Sequence, residues 1–523
     1  MTRYGFVIDQ DNCIGCHACT VACKTEHSVP LGVNRTWVKY IEKGTWPDTK
    51  RYFNVQRCNH CADAPCVTIC PTKALYTRKD GIVDFDTDRC IGCKSCMQAC
   101  PYDALYIDPD EHTAQKCNYC VHRVEVGLEP ACVIVCPEQA IIAGDLDDPT
   151  SKIARIVATE QVFVRSPEQG TNPKLWYKGA EQVNLDPLMA EVRAGSMIWR
   201  DDPNPVPAWL NVDLTPADTS GPSGPTKVAF DESAPRVVYN TDHPMPWGWR
   251  VSSYFLTKGI SAGMILAVAL SLLAGGGTDS ALVQWMVPLI AGLFLAATGA
   301  LLVWDLKRPD RFYYLITKGN PGSWLVRGAW ILTAYAVIMA VWFLLGVGLG
   351  PDAVRVMVWI AVPVSIALAG YTAFLFGQAE ARDLWQSPML LWHMVAGALA
   401  AGGGAMLILG AVVGAEEMLM RSSAWAMVGG ALALGLIALG EITSHHPTRN
   451  IAMAIHHMTK GAFSRQWWIG GQLIGVAIPV SFGSGYLWGS PPWVALIGAV
   501  AAMIGIWFAD DAYVKAGQSV PLS

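Results

Sequence analysis

DNCIGCHACTVACK at residues 11–24 and DRCIGCKSCMQACP at residues 88–101 share the run C-x2-C-x2-C-x3-C. In that run three closely spaced thiolates hold one [4Fe–4S] cube and the fourth reaches across to a neighbouring cube. Two further stretches complete the pattern, CNHCADAPCVTICP (58–71) and CNYCVHRVEVGLEPACVIVCP (117–137). All sixteen cysteines of the 523-residue chain lie in these stretches. They fall as Cys13-Cys16-Cys19-Cys23, Cys58-Cys61-Cys66-Cys70, Cys90-Cys93-Cys96-Cys100 and Cys117-Cys120-Cys132-Cys136. At four thiolates per cube the spacing predicts four [4Fe–4S] clusters with no cysteine left over, and a chain that carries electrons.

Zinc ribbons also use C-x2-C pairs, but they have no use for a third cysteine three residues on. A disulfide framework belongs to small secreted domains. Here Met1-Thr2-Arg3-Tyr4-Gly5 runs straight into the first motif, and no secretory leader is expected. The order of motifs is A-B-A′-B′, a duplicated two-cluster unit, and such self-similarity weighs more than any single motif. Pro71, Pro101 and Pro137 each follow a fourth cysteine, and Lys24 takes that place in the first motif. Turn signals such as Lys79-Asp80-Gly81 before IVDFD predict short hairpins and helices in a ferredoxin-like α+β domain.

Composition divides the chain into 1–180, charged and cysteine-rich, a Pro/Gly-rich connector over 181–246, and an apolar part over 247–523. Mean hydropathy for the whole chain is +0.29, which only a strongly apolar half produces. Runs long enough to cross ~30 Å of hydrocarbon fall near 252–275, 284–304, 324–350, 353–376, 388–414, 422–440, 467–487 and 491–510. They predict an all-α bundle of eight transmembrane helices in a lipid bilayer. Recurrent small residues, as in AGGGAMLILGAVVGA, suit close helix packing. Loops on the side of both ends carry nine basic residues, against Arg355 and Arg421 opposite. That bias predicts a multi-pass protein of the cytoplasmic membrane with the cluster domain on the cytoplasmic side.

One helix would tether the clusters, so eight suggest a cavity or a pathway. Charged groups within or bordering the spans are functional candidates, since each costs at least ~2.5 kcal/mol at the bilayer centre. A quinone head group needs hydrogen-bond donors and a proton route in an apolar pocket. Lys258, Asp305, Arg308, Arg311 and His393 are the candidates for that site. The plainer alternative for Asp305, Arg308 and Arg311 is interfacial snorkelling or salt bridging. The tryptophans at span ends read as an aromatic belt. A transmembrane haem would need a pair of axial ligands, and only His393 lies inside a span, so no haem is expected.

The cluster half, over about residues 4–180, resembles the four-cluster iron–sulfur subunits of the molybdopterin (dimethyl sulfoxide reductase-type) oxidoreductases, including the tail GDLDDPTSKIARI…GTNPKLWY. The membrane half resembles the polysulfide-reductase/NrfD-like membrane subunits in WGWRVSSYFLTKGISAGM, DLKRPDRF and FGQAEARDLWQSP. The two halves look fused, where most relatives keep them as separate proteins. The resemblance implies the pairing of the motifs: Cys13, Cys16, Cys19 and Cys136 on one cube, and Cys23, Cys117, Cys120 and Cys132 on the next. Cys58, Cys61, Cys66 and Cys100 would hold the third, with Cys70, Cys90, Cys93 and Cys96 on the fourth. It further implies electron relay between a molybdopterin- or tungstopterin-containing catalytic subunit and the membrane quinone pool, menaquinone or ubiquinone. A stand-alone quinone oxidoreductase fed by a soluble carrier such as ferredoxin is the alternative. No phosphate loop, dinucleotide fingerprint or nucleophile triad occurs, and neither catalytic residues nor a nucleic-acid partner are expected.

Overall fold

The structure, a computed structural model, describes residues 2–192, 234–242 and 244–523. It contains two compact units. The first comprises Met1–Pro246 with Ala379–Arg382 and Val520–Ser523, and the second Trp247–Gln378 with Asp383–Ser519. Most of the expected connector, 193–233 and residue 243, lies outside the described residues.

In the first unit, Tyr4–Asp9 is an inner strand of a four-stranded sheet. It pairs antiparallel with Ile141–Asp145 and parallel with Leu175–Lys178, so the segments on either side of the four motifs close on each other. A second sheet runs Glu191–Val192, Arg236–Tyr239, Thr36–Lys43, Lys50–Arg57. Leu75–Thr77 and Val83–Phe85 form the hairpin expected before IVDFD. Asp80 caps its turn by accepting from the Ile82 N–H, and Gly81 supplies the left-handed residue. Leu105–Ile107 and Ala114–Lys116 form another hairpin. The core interleaves Phe6, Ile8, Val38, Val55, Tyr119 and Tyr177 with the cysteines Cys19 and Cys132. The segments distant in sequence are tied in by buried cations: Arg165 donates to the Leu522 carbonyl and Arg382 to Gln98 Oε1.

In the second unit seven helices are long and apolar enough to cross a membrane. They are Trp249–Leu273, Leu282–Asp305, Trp324–Gly348, Pro351–Gly377, Leu390–Val413, Glu417–Thr443 and Pro492–Ser519. The further span expected at 467–487 is helical, as a π-helix Gln466–Ala477 followed by Ile478–Leu487. Glycines, Gln466 and Gln472 dilute its apolar character, and it is not among the seven. Small residues set the packing: Gly263 lies against Ala398 and Gly402, and Gly475 against Gly505, where a β-carbon would strike backbone.

Two readings change. The last span does not end at 510 but continues to Ser519, carrying Asp510 and Asp511 into the bundle, both buried. Of the tryptophans expected in an aromatic belt, Trp249, Trp392 and Trp468 are exposed, whereas Trp247, Trp385 and Trp467 are buried. Trp247 and Trp385 stack on each other with ring centres 5.5 Å apart.

Candidate functional site

The cysteine motifs take the same backbone path twice. Gly15 and Gly92 have positive φ, as do His17 and Lys94 two residues on. His60 and Tyr119 repeat this in the other two motifs. Such turns bring backbone N–H groups toward sulfur. Those of His60 and Gly92 point at the Cys58 and Cys90 Sγ atoms at 3.4 Å, and that of Ala140 at the Cys136 Sγ at 3.3 Å. At Gly15 a β-carbon would also run into the Phe53 ring. Gly15→Val is therefore expected to displace Cys13 and Cys16 and to lower the iron content of the purified protein.

Cys13, Cys16, Cys19 and Cys136 line one pocket. Cys70, Cys90, Cys93 and Cys96 line another. In each, three cysteines of a C-x2-C-x2-C run meet the fourth of another motif. Of the remaining eight, Cys23 lies within electrostatic reach of Cys117, Cys120 and Cys132, and Cys66 of Cys58, Cys61 and Cys100. Neighbouring groups approach one another in a single order, through Cys19 and Cys132, Cys117 and Cys58, and Cys66 and Cys96. The four groups thus stand in a row. The Cys13 end opens to the surface, with Cys16 exposed and Cys13 and Cys136 half-buried.

The surroundings fit iron–sulfur cores. Burial pushes the thiols of Cys61, Cys93 and Cys100 up to about 12, so they would stay neutral without a positively charged partner. An iron core supplies that partner and converts them to thiolates. Polar atoms beside the cysteines are buried and find no partner among the described residues: Arg57 Nε and Nη2, the Asn59 amide, His60 Nε2 and Ser95 Oγ. Cluster sulfides accept such hydrogen bonds.

In the membrane unit, Lys258 is fully buried in the first helix. Its Nζ donates to Thr372 Oγ1 at 2.5 Å and lies 4.7 Å from the centre of the Tyr371 ring. His393 Nε2 donates to Asp510 Oδ1 at 3.0 Å. Asp510 is in turn within electrostatic reach of Lys258 and Tyr254, and Glu441 of His393. Glu441 accepts from Ser387 at 3.1 Å. A polar file therefore runs Thr372, Lys258, Asp510, His393, Glu441, Ser387, buried except for the half-buried Ser387. Asp510 bonds His393 and lies within electrostatic reach of Lys258. Asp305 is half-buried and within reach of Tyr254. Arg308 makes two bonds to Asp310, at 3.0 and 2.9 Å, and Arg311 lies 3.8 Å from the same carboxylate. These two arginines brace their own surface turn, Pro309–Arg311.

Sequence reasoning missed Asp510, Asp511 and Trp467. Asp511 accepts from Ser252, Gln466 and Lys515. The signal was Lys515 four residues after Asp511, a helical spacing that continues the span past its acidic pair. Trp467, Gly471 and Gly475 of the π-helix form one wall of a small cleft, with His393 and Asp510 among its polar lining. The Trp467 indole N–H is buried there without a partner among the described residues.

A row of cysteine quartets joined to an apolar helical bundle defines an iron–sulfur protein of the membrane. Residues 237–520 match the family described as Polysulphide reductase, NrfD, and the chain belongs to that family. Residues 12–75 and 49–146 each match a family described as 4Fe-4S dicluster domain. Among similar proteins, a tetrathionate reductase subunit from Salmonella typhimurium is 42% identical over 203 residues, 38% of this chain and 80% of that protein. A component of the polysulfide reductase from Wolinella succinogenes is 44% identical over 179 residues, 33% of this chain and 93% of that protein. Protein NrfC of Escherichia coli is 42% identical over 177 residues, 33% of this chain and 79% of that protein.

Proposed function

We propose that the chain is the fused electron-transfer and quinone-reacting subunit of a membrane respiratory complex. The single-file order of the four cysteine quartets carries this reading. Four [4Fe–4S] clusters, when bound, supply one-electron steps, and the order of the quartets would let them act in series. The quartet that includes the exposed Cys16 is the natural point of exchange with a catalytic partner. Relatives named as components of tetrathionate and polysulfide reductases support such a partner, for which a molybdenum or tungsten pterin protein is the proposed class.

At the other end of the relay stands the membrane quinone pool. A quinone takes up two electrons and two protons on reduction, and returns them on oxidation. Lys258 and the His393–Asp510 pair place proton-bearing groups inside an apolar bundle, where a quinone head group meets hydrogen-bond donors and little water. Asp305 would complete the site near Tyr254, and Arg308 and Arg311 would guard its rim. The proposed location is the cytoplasmic membrane, with the cluster unit on the cytoplasmic side as the loop charges suggest.

Exposed apolar side chains surround the open end of the row: Ile14 is 54%, Val21 61% and Ile134 56% exposed. Val21 and Ile134 are borne by helices that pack on each other, Ala18–His27 and Ala131–Ile134. A patch of this kind beside an electron-exchange point suits a docked subunit. Purification in mild detergent is expected to bring down a large pterin-containing protein with the wild-type chain. Val21→Asp with Ile134→Glu is expected to lose that partner while keeping full iron content. A lone wild-type chain, active with reduced ferredoxin, would overturn the partnership.

A further inference from the structure

We propose that Arg57 and Lys116 are a crossed pair of buried cations. Each is adjacent in sequence to a ligand of one inner cluster and directs its charge at the other inner cluster. The inference rests on the reading that the sixteen cysteines hold four clusters.

The internal repeat sets Arg57-Cys58-Asn59-His60-Cys61 against Lys116-Cys117-Asn118-Tyr119-Cys120. The duplication thus puts a basic residue just before the first cysteine of both B motifs. Both side chains are buried, at 1% and 0% exposure. Neither forms an ion pair with a carboxylate among the described residues. A buried charge without a counter-charge is costly, so a negative group must offset each one. Four thiolates on an iron core supply it.

The geometry gives the crossing. Arg57 precedes Cys58, yet its Nη1 donates to Cys132 Sγ at 3.0 Å, with Cys117 of the same quartet, and Cys19 of the outer first quartet, within electrostatic reach. The guanidinium is held over the Phe6 ring at 4.8 Å, with Nε and Nη2 still unpartnered. Lys116 precedes Cys117, yet its Nζ donates to the carbonyl of Val83, whose own N–H donates to the His60 ring between Cys58 and Cys61. The Cys117 carbonyl is its second acceptor. Arg57 therefore serves the Cys23/Cys117/Cys120/Cys132 quartet and Lys116 the Cys58/Cys61/Cys66/Cys100 quartet.

Reduction adds one negative charge to a cluster, and a fixed cation nearby stabilises the reduced form. Both residues thus raise the midpoint potentials of the two inner clusters and keep electrons moving through the middle of the row. Substituting a neutral side chain lowers the potential of the cluster that loses its cation.

The test is potentiometric titration of the full chain in detergent, read by electron paramagnetic resonance. Arg57→Gln and Lys116→Gln are expected each to lower the midpoint of a different cluster. At the wild-type midpoint its reduced-to-oxidised ratio should fall at least tenfold, about 59 mV for one electron. Arg57→Lys and Lys116→Arg should restore most of the shift, which a merely structural role would not do. Cys61→Ser, by altering one signal, identifies the cluster that Lys116→Gln must move. Unmoved midpoints with full iron content would overturn the proposal, as would Lys116→Gln shifting the Cys117 cluster instead. Should the neutral variants not assemble, wild-type protein with ¹⁵N-arginine is expected to show an arginine nitrogen coupled to a reduced cluster. No such coupling overturns the Arg57 assignment. Absence of iron and acid-labile sulfide from the wild type would instead sink the cluster reading itself.

Discussion

Cys117→Ala is expected to stop electron flow from the partner to the quinone while leaving the first cluster reducible. Cys117 belongs to the second quartet and is the neighbour of Cys58 in the third, so the row has its middle joint there. On the proposed arrangement its loss removes a ligand of an interior cluster, and a single file has no parallel route around it. Loss of a group that merely supports a metal ligand costs roughly 10–100-fold, so quinone-linked turnover should fall by about 100-fold or more. The first quartet reaches the surface through the exposed Cys16 and shares no ligand with the second, so it should still accept electrons from a soluble dye. Turnover with quinone is one readout and dye-driven cluster reduction is the other. Retention of both activities would mean that the row is not the path.

Lys258→Met and His393→Leu are expected to abolish quinone turnover with all clusters still reduced by dithionite. Each replacement removes a proton-bearing group from the buried file and leaves the cluster unit untouched. A positioned acid or base contributes roughly 10²–10⁴-fold, which sets the size of the expected loss. Asp510→Asn should act in the same direction, because it leaves His393 Nε2 a hydrogen-bond acceptor but takes away the opposing charge. Arg308→Gln should have a small effect by comparison, since Arg308 is braced by Asp310 at the surface of its turn. Normal quinone kinetics in both Lys258→Met and His393→Leu would remove the site from this part of the bundle.

The cysteine groups were legible in the sequence because cluster ligation constrains spacing along the chain, and spacing survives without any knowledge of the fold. Which motif shares a cube with which was not legible from spacing, because that depends on how Tyr4–Asp9 and Ile141–Asp145 bring the first and last motifs together. The resemblance groups Cys13, Cys16 and Cys19 with Cys136, and the structure places the same four round one cavity. In the membrane unit most helices were evident from hydropathy. The polar file was half legible: Lys258 and His393 stand out against apolar neighbours, whereas Asp510 and Asp511 fall where a hydropathy window closes. Their burial depends on partners from other helices, His393 and Ser252, which no local pattern reveals. The same reason hid Trp467, which has the composition of a belt residue but lies inside the bundle.

The most direct measurement mixes the dithionite-reduced chain, oxygen-free and in lipid nanodiscs, with a short-chain quinone, and follows the broad visible absorption of the clusters. Reduced clusters that pass electrons to a quinone should recover their oxidised absorption within the mixing experiment, with quinol formed at one per two electrons released. Clusters that stay reduced in the presence of excess quinone would contradict the account.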